Sequence, residues 1–254
     1  MRKILLLTFL ITIVLMLSLR WISPSQSAAA KSPPINQDRI KDATLIIVIE
    51  SIQRNEVTLA YGMGTLVQYQ GASYLVTHNH YGNLLQDMNI LELRDARYKP
   101  IRTMYGYEFK GLIVYQDTGT LMLSLPDGLA EDITPGELGD SQQVKPGDIV
   151  QVARLAQPER EQVEILEAVV EGVGVSEPVY LLRSLNGESL SPGDSGGGVW
   201  YAGKFVANTW AVLYGYSALD ASGNADPDSK FQTEMSYAAI FPEVFQKMVS
   251  YGAP

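Results

Sequence analysis

Three observations predict an all-β chain built in two halves. Short β-rich segments recur along most of its 254 residues, separated by Gly, Asn, Asp and Pro. That spacing is the signature of a β-barrel or sandwich. A stretch from Pro126 to Gly139, with a Pro-Gly turn signal, divides the segments into two sets. A hydrophobic content of 46% lets a chain of this length bury a full core, and two small stacked barrels fit it.

The elements follow in order. Arg2-Lys3 precedes an uncharged apolar run from Ile4 to Leu19, and Ser27-Ala28-Ala29-Ala30 offers small residues for a signal peptidase. Residues 1–30 are therefore expected to be a secretory signal peptide, with a retained signal anchor as the alternative. Lys31 to Lys41 is a polar, Pro-containing lead-in. Thr44 to Ile49 is a β-branched run typical of a buried strand. Further strands are expected at 57–69, 73–78, 89–94, 101–108, 110–116 and 119–125, completing a first unit at residues 31–130. The second unit, residues 131–254, holds the connector and strands at 147–155, 162–171, 178–184, 197–201, 204–214 and 232–240. Pro242 to Tyr251 is the one segment with a helical pattern. Val244, Phe245, Met248 and Val249 form an apolar stripe, with Pro242 and Glu243 at the N-terminal end and Lys247 in the last turn.

Composition narrows the function. Removing residues 1–30 takes away three basic and no acidic residues, leaving 16 basic against 28 acidic and a formal charge of −12. Such a surface repels nucleic acid, and no basic stripe argues otherwise. With no cysteine, disulfides and thiolate metal sites are excluded.

Chemistry concentrates in Pro192-Gly193-Asp194-Ser195-Gly196-Gly197. A serine hydroxyl becomes a nucleophile only beside a base, and the oxyanion it creates needs main-chain N–H donors. The two histidines, His78 and His80, lie upstream in Tyr74-Leu75-Val76-Thr77-His78-Asn79-His80, and Asp117 opens Asp117-Thr118-Gly119-Thr120-Leu121-Met122-Leu123. Gly193-x-Ser195-x-Gly197 also fits the nucleophile elbow of α/β-hydrolases, but their order puts a histidine after the serine, and none follows Ser195. The order His, Asp, Ser is that of the chymotrypsin arrangement.

On these motifs the chain resembles the trypsin/chymotrypsin-like serine peptidases. Gly62-Met63-Gly64-Thr65-Leu66-Val67 resembles their glycine-rich strand, Leu75 to His80 their Thr-x-x-His segment, and Asp117 to Leu123 their aspartate segment. Leu138-Gly139-Asp140-Ser141 and Val144 to Val150 are similar to the opening of the second barrel in the bacterial Deg branch. The resemblance implies two antiparallel six-stranded β-barrels with a C-terminal helix, without the peptide-binding domains that follow Deg catalytic units. It implies His80 as base, Asp117 as its orienting acid, Ser195 as nucleophile, and an oxyanion hole from the N–H groups of Gly193 and Ser195. It places Ser189 at the base of the primary pocket, with Thr209, Trp210, Ala211, Val212 and Leu213 as one wall. Asp194 is expected to brace the loop from behind.

Two positions depart from the family pattern: Gly198 stands where a proline is usual, and Asn208-Thr209-Trp210-Ala211 replaces a stretch of small residues. The implied activity is an exported serine endopeptidase acting on protein or peptide through an acyl-enzyme, with no metal or organic cofactor. The membrane is a partner only if the leader is retained. The alternative is an inactive relative that binds peptide or protein in the same cleft. A His-x-His metal pair at 78 and 80 would need a third ligand and would leave the Ser195 loop unexplained. Asp220, Asn224, Asp226 and Asp228 lack the spacing of a calcium loop. His78 is expected to be a solvent-facing or hydrogen-bonded neighbour.

Overall fold

The computed structural model describes residues 36–53, 56–126, 128, 132–156, 161–174, 178–216 and 230–240. Strands dominate both halves. The first half contains β1 (Thr44–Gln53), β2 (Glu56–Tyr69), β3 (Ala72–Thr77), β4 (Ile90–Arg94), β5 (Pro100–Tyr105), β6 (Ile113–Gln116) and β7 (Leu121–Ser124). They form one antiparallel sheet in the order β5-β4-β1-β2-β3-β7-β6. The second half contains β8 (Ile149–Leu155), β9 (Val163–Val173), β10 (Val179–Ser184), β11 (Gly198–Tyr201), β12 (Lys204–Tyr216) and β13 (Lys230–Ile240), which close into a six-stranded barrel. The chymotrypsin-like all-β class is therefore observed, with one correction. The first half is a seven-stranded sheet whose edges, β5 and β6, do not pair, so only the second half closes by hydrogen bonds.

The reason lies between those edges. Residues 106–108, expected in a strand, begin helix α3 (Gly106–Gly111), which runs from the end of β5 to the start of β6. Its Glu108 accepts the N–H of Tyr105 at 2.7 Å, a cap that stabilises the first turn. Phe109, fully buried, faces the interior of the sheet. Two more short helices were not expected: α1 (Gln37–Asp42), capped by the Asn36 side chain and burying Ile40, and α2 (His80–Leu84). Six and five residues are too few to develop a helical apolar stripe that a sequence reading can detect. The helix expected at 242–251 lies outside the described residues.

Three apolar clusters explain the arrangement. On β1, Leu45, Ile47 and Ile49 face the interior of the first sheet, while Ile46 and Val48 face the second half. Burial on both faces is why Leu45 to Ile49 is continuously apolar and shows no polar alternation. The second face of the sheet joins Met63, Val67, Val76 and Met122 with Ala153, Leu155, Trp200 and Phe205 of the barrel in one shared seam. The barrel interior, including Val150, Val152, Leu166, Tyr180 and Val199, is the third cluster. The connector stitches the halves together: Gly136 N–H donates to Leu66 and Gly139 N–H to Phe205, each at 2.8 Å.

Candidate active site

Ser195 lies in the loop between β10 and β11, and its main chain is held from across the seam. Its carbonyl accepts the N–H of Met63 on β2 at 3.0 Å and the hydroxyl of Tyr81 at 3.2 Å. The next residue is also held: Gly196 N–H donates to Thr209 at 2.9 Å, and its φ is +87°. A Cβ at Gly196 would stand 2.1 Å from the Met63 carbonyl, so glycine is required there.

Asp194 is buried at 1% exposure and braces the loop. Oδ1 accepts Leu155 N–H at 2.8 Å, and Oδ2 accepts Ser191 N–H at 2.7 Å. Burial pushes its carboxyl above the usual carboxylate range, against these hydrogen bonds and the nearby Arg154. With Asp194 fixed, Gly193 takes a φ of +109°. The N–H groups of Gly193 and Ser195 have no acceptor among the described residues. Two free donors flanking a half-buried serine are what an oxyanion requires chemically.

Beside Ser195 lies a pocket of about 310 Å³, lined by Leu190, Ser191, Pro192, Asp194, Ser195, Thr209, Trp210, Ala211 and Val212. Of the expected wall, Thr209 to Val212 are present. Ser189 and Leu213 are not among the lining residues, and Leu190, Ser191 and Pro192 take that side instead. Asp194, the one acidic residue among the described residues of the lining, has both oxygens engaged by Leu155 and Ser191. Glu188 does not line the pocket; it pairs with Arg154 at 2.6 Å. Asp220, Asn224, Asp226 and Asp228 lie outside the described residues.

His80 is the first residue of α2, with two residues between it and the end of β3. Its half-buried ring contacts Tyr81 at 4.0 Å and His78 at 4.2 Å between centroids. Burial lowers its pKa below 6.5. His78 is 6% exposed, so it is not solvent-facing, and its Nδ1 accepts His80 N–H at 3.0 Å. No group of three potential ligands gathers around a metal site among the described residues.

Asp117 sits in the β6–β7 turn. Oδ1 accepts the N–H groups of Gly119 and Thr120 at 2.9 and 2.8 Å, and Oδ2 accepts the Tyr115 hydroxyl at 2.8 Å. The Asn79 side chain donates to the Asp117 carbonyl, which joins the histidine segment to this turn. Among the described residues, no hydrogen bond links the His80 ring to Asp117 or to Ser195 Oγ. Three donors occupy three of the carboxylate's roughly four acceptor sites, leaving one for an imidazole N–H.

Solved structures with a similar fold include an HtrA-type protease. The HtrA-type protease AlgW with a tripeptide matches 84% of this chain and 61% of its own, at 17% identity and a TM-score of 0.53. AlgW with a decapeptide matches 84% and 65%, at 16% identity and 0.53. A variant of AlgW with a decapeptide matches 85% and 66%, at 12% identity and 0.57. This chain shares the fold of these HtrA-type proteases. The chain spans about three fifths of the length of the AlgW chain with the tripeptide. No protein-family model and no curated protein matches it.

Two residues that hold the site, Tyr81 and Tyr115, belong to no motif in the sequence. Tyr81 is 2% exposed and fills the space over Gly62, where a Cβ would stand 1.9 Å from its hydroxyl. The paired glycines at 62 and 64 were the signal that a large side chain comes close. Tyr115, on β6, precedes Asp117 by two, and its hydroxyl reaches the carboxylate at the start of the turn.

Proposed function

We propose that this chain is an exported serine endopeptidase in which Ser195 is the nucleophile, His80 the base and Asp117 the acid that orients it. One observation carries the reading: among the described residues the Gly193 and Ser195 N–H groups have no acceptor, and Ser195 lines a pocket whose one described carboxylate, Asp194, is already hydrogen-bonded. Attack on a peptide carbonyl transfers the Ser195 proton to His80 and puts the oxyanion between the two N–H groups. His80 then returns the proton to the leaving amine, and water hydrolyses the acyl-enzyme. The low pKa of His80 suits a base that must be neutral at the start of the cycle. Bound tripeptide and decapeptide in AlgW support a peptide ligand here.

The pocket favours apolar or small uncharged side chains at the cleaved residue. Its Asp194 is buried and already accepts two N–H groups, and Glu188 is held by Arg154. Cleavage mapping on a mixed peptide library checks this, and a predominance of Arg and Lys sites overturns it. Export rests on Arg2-Lys3, the apolar run and Ser27 to Ala30, and mature protein is expected to begin near Lys31. Recovery of residues 1–22 in a membrane fraction would replace the cleaved leader with an anchor.

The missing link from the His80 ring to Asp117 and Ser195 favours a second reading, a binder of peptide or protein without turnover. Covalent labelling by a serine-directed phosphonate separates the two. Modification of Ser195 in folded protein, abolished by heat denaturation, supports the peptidase. Absence of modification supports the binder.

A further inference from the structure

The helix that carries His80 begins without an ordinary cap. The N–H groups of a first helical turn have no partner inside the helix and need an acceptor from elsewhere. Asn79, at the cap position of α2, makes no capping bond; its side-chain amide instead donates to the Asp117 carbonyl. The acceptor for His80 N–H is instead Nδ1 of His78, at 3.0 Å. A ring nitrogen that accepts carries no proton, so neutral His78 holds its hydrogen on Nε2. That Nε2 is buried and has no partner among the described residues. The same ring stands 4.2 Å from the His80 ring at an interplanar angle of 44°.

We propose that His78 is a positioning residue for His80: its Nδ1 fixes the main chain at the start of α2, and its ring is the wall against which the His80 ring rests. This rests on the reading of His80 as base. The two functions are separable. The hydrogen bond sets where the His80 backbone lies, and the ring keeps water from one face of the imidazole. Tyr81 supplies a second ring contact at 4.0 Å, with Asp194 near its hydroxyl, while Asp117 lies beyond Asn79. Burial and the proximity of His80 lower the pKa of His78 to about 3, so it stays uncharged while His80 cycles. A charged His78 would oppose the imidazolium that catalysis creates.

The chain has only two histidines, so histidine-selective ¹⁵N labelling of the full chain gives two ring spin systems. One ring is expected as the Nε2–H tautomer and still neutral at pH 5; the other titrates below 6.5. His78→Asn keeps an acceptor but removes the wall, and the midpoint of the remaining ring should rise. His78→Leu keeps apolar bulk but removes the acceptor. Its kcat on a peptide substrate should fall by about tenfold or more with little change in KM, as expected for a small displacement of a base. His78→Asn should retain most of the kcat.

Two wild-type rings titrating together near 6.5 would overturn the proposal, as would an unmoved midpoint in His78→Asn. An undiminished kcat in His78→Leu counts against it equally. The spectra decide the ring relationship even if wild-type protein hydrolyses no peptide, so failure of the peptidase reading is seen separately.

Discussion

The hydroxyl of Tyr81 donates to the carbonyl of Ser195 at 3.2 Å, linking the residue after the proposed base to the proposed nucleophile. The two residues come from different halves of the molecule, and the bond from the Tyr81 side chain to the Ser195 main chain crosses the seam between them. The same Ser195 carbonyl accepts Met63 N–H, so it is doubly held.

Tyr81→Phe should therefore be tolerated but measurable. The Ser195 carbonyl keeps one partner, so the loss is that of a single net hydrogen bond, about 0.5–1.5 kcal/mol. Urea unfolding should show this as a lower midpoint with an unchanged slope, and kcat should fall by a few-fold. Full activity and stability would make the contact incidental.

Ser195, His80 and Asp117 should behave as one unit. Without the base the hydroxyl keeps its proton, and without the acid the imidazole loses its orientation. Ser195→Ala and His80→Ala should each lower kcat by about 10⁶, with the double variant little worse. Asp117→Asn should cost about 10⁴ near neutral pH. Single-turnover rates on one peptide substrate, with circular dichroism as the folding check, supply the comparison. Additive losses would break the unit.

Stability should fall on acidification in a way that depends on His78. Its folded pKa of about 3 lies below the unfolded 6.5, so between those values the unfolded chain binds more protons. Its contribution is complete above 6.5 and declines as pH falls toward 3, by about 2 kcal/mol at pH 5. Asp194 has the opposite sign, since its raised pKa favours the folded state as its carboxyl protonates. The difference between wild type and His78→Asn isolates the histidine. Denaturation midpoints at pH 7.5 and pH 5 should differ less in the variant.

Gly196→Ala should be among the most damaging single-methyl changes in the chain. The left-handed backbone alone costs a non-glycine residue about 1–2 kcal/mol, and the Met63 carbonyl occupies the place of the new carbon. Thermal unfolding should show a large drop, with loss of turnover. A wild-type midpoint would mean the loop is less constrained than its bonds indicate.

Much of this was legible in the sequence because strands and turn residues carry local signals. The segments 44–49, 57–69 and 204–214 emerged as strands because β-branched and aromatic residues concentrate there between Gly and Asn. The helix at Gly106 was missed because its decisive contact is a single Glu108 carboxylate on one N–H, flanked by strand-like Tyr and Ile residues. The failure of β5 and β6 to pair follows from that helix and could not be seen without it. The motif gave Ser195, His80 and Asp117 as a set. It could not show that Asp117 spends its oxygens on Tyr115 and its own turn, since that depends on side-chain direction within a four-residue bend.

The shared seam has a consequence for how the molecule fails. Met63 and Val76 are buried only while Trp200 and Leu155 lie against them, so neither half retains its apolar surface alone. Melting one half exposes the other and should carry it into the same cooperative transition. The proposed nucleophile and base lie on opposite sides of that boundary. On the peptidase reading, a partly denatured copy therefore loses its catalytic apparatus at the moment it becomes a substrate for its neighbours. Any scission among unfolding molecules must then come from copies that are still intact.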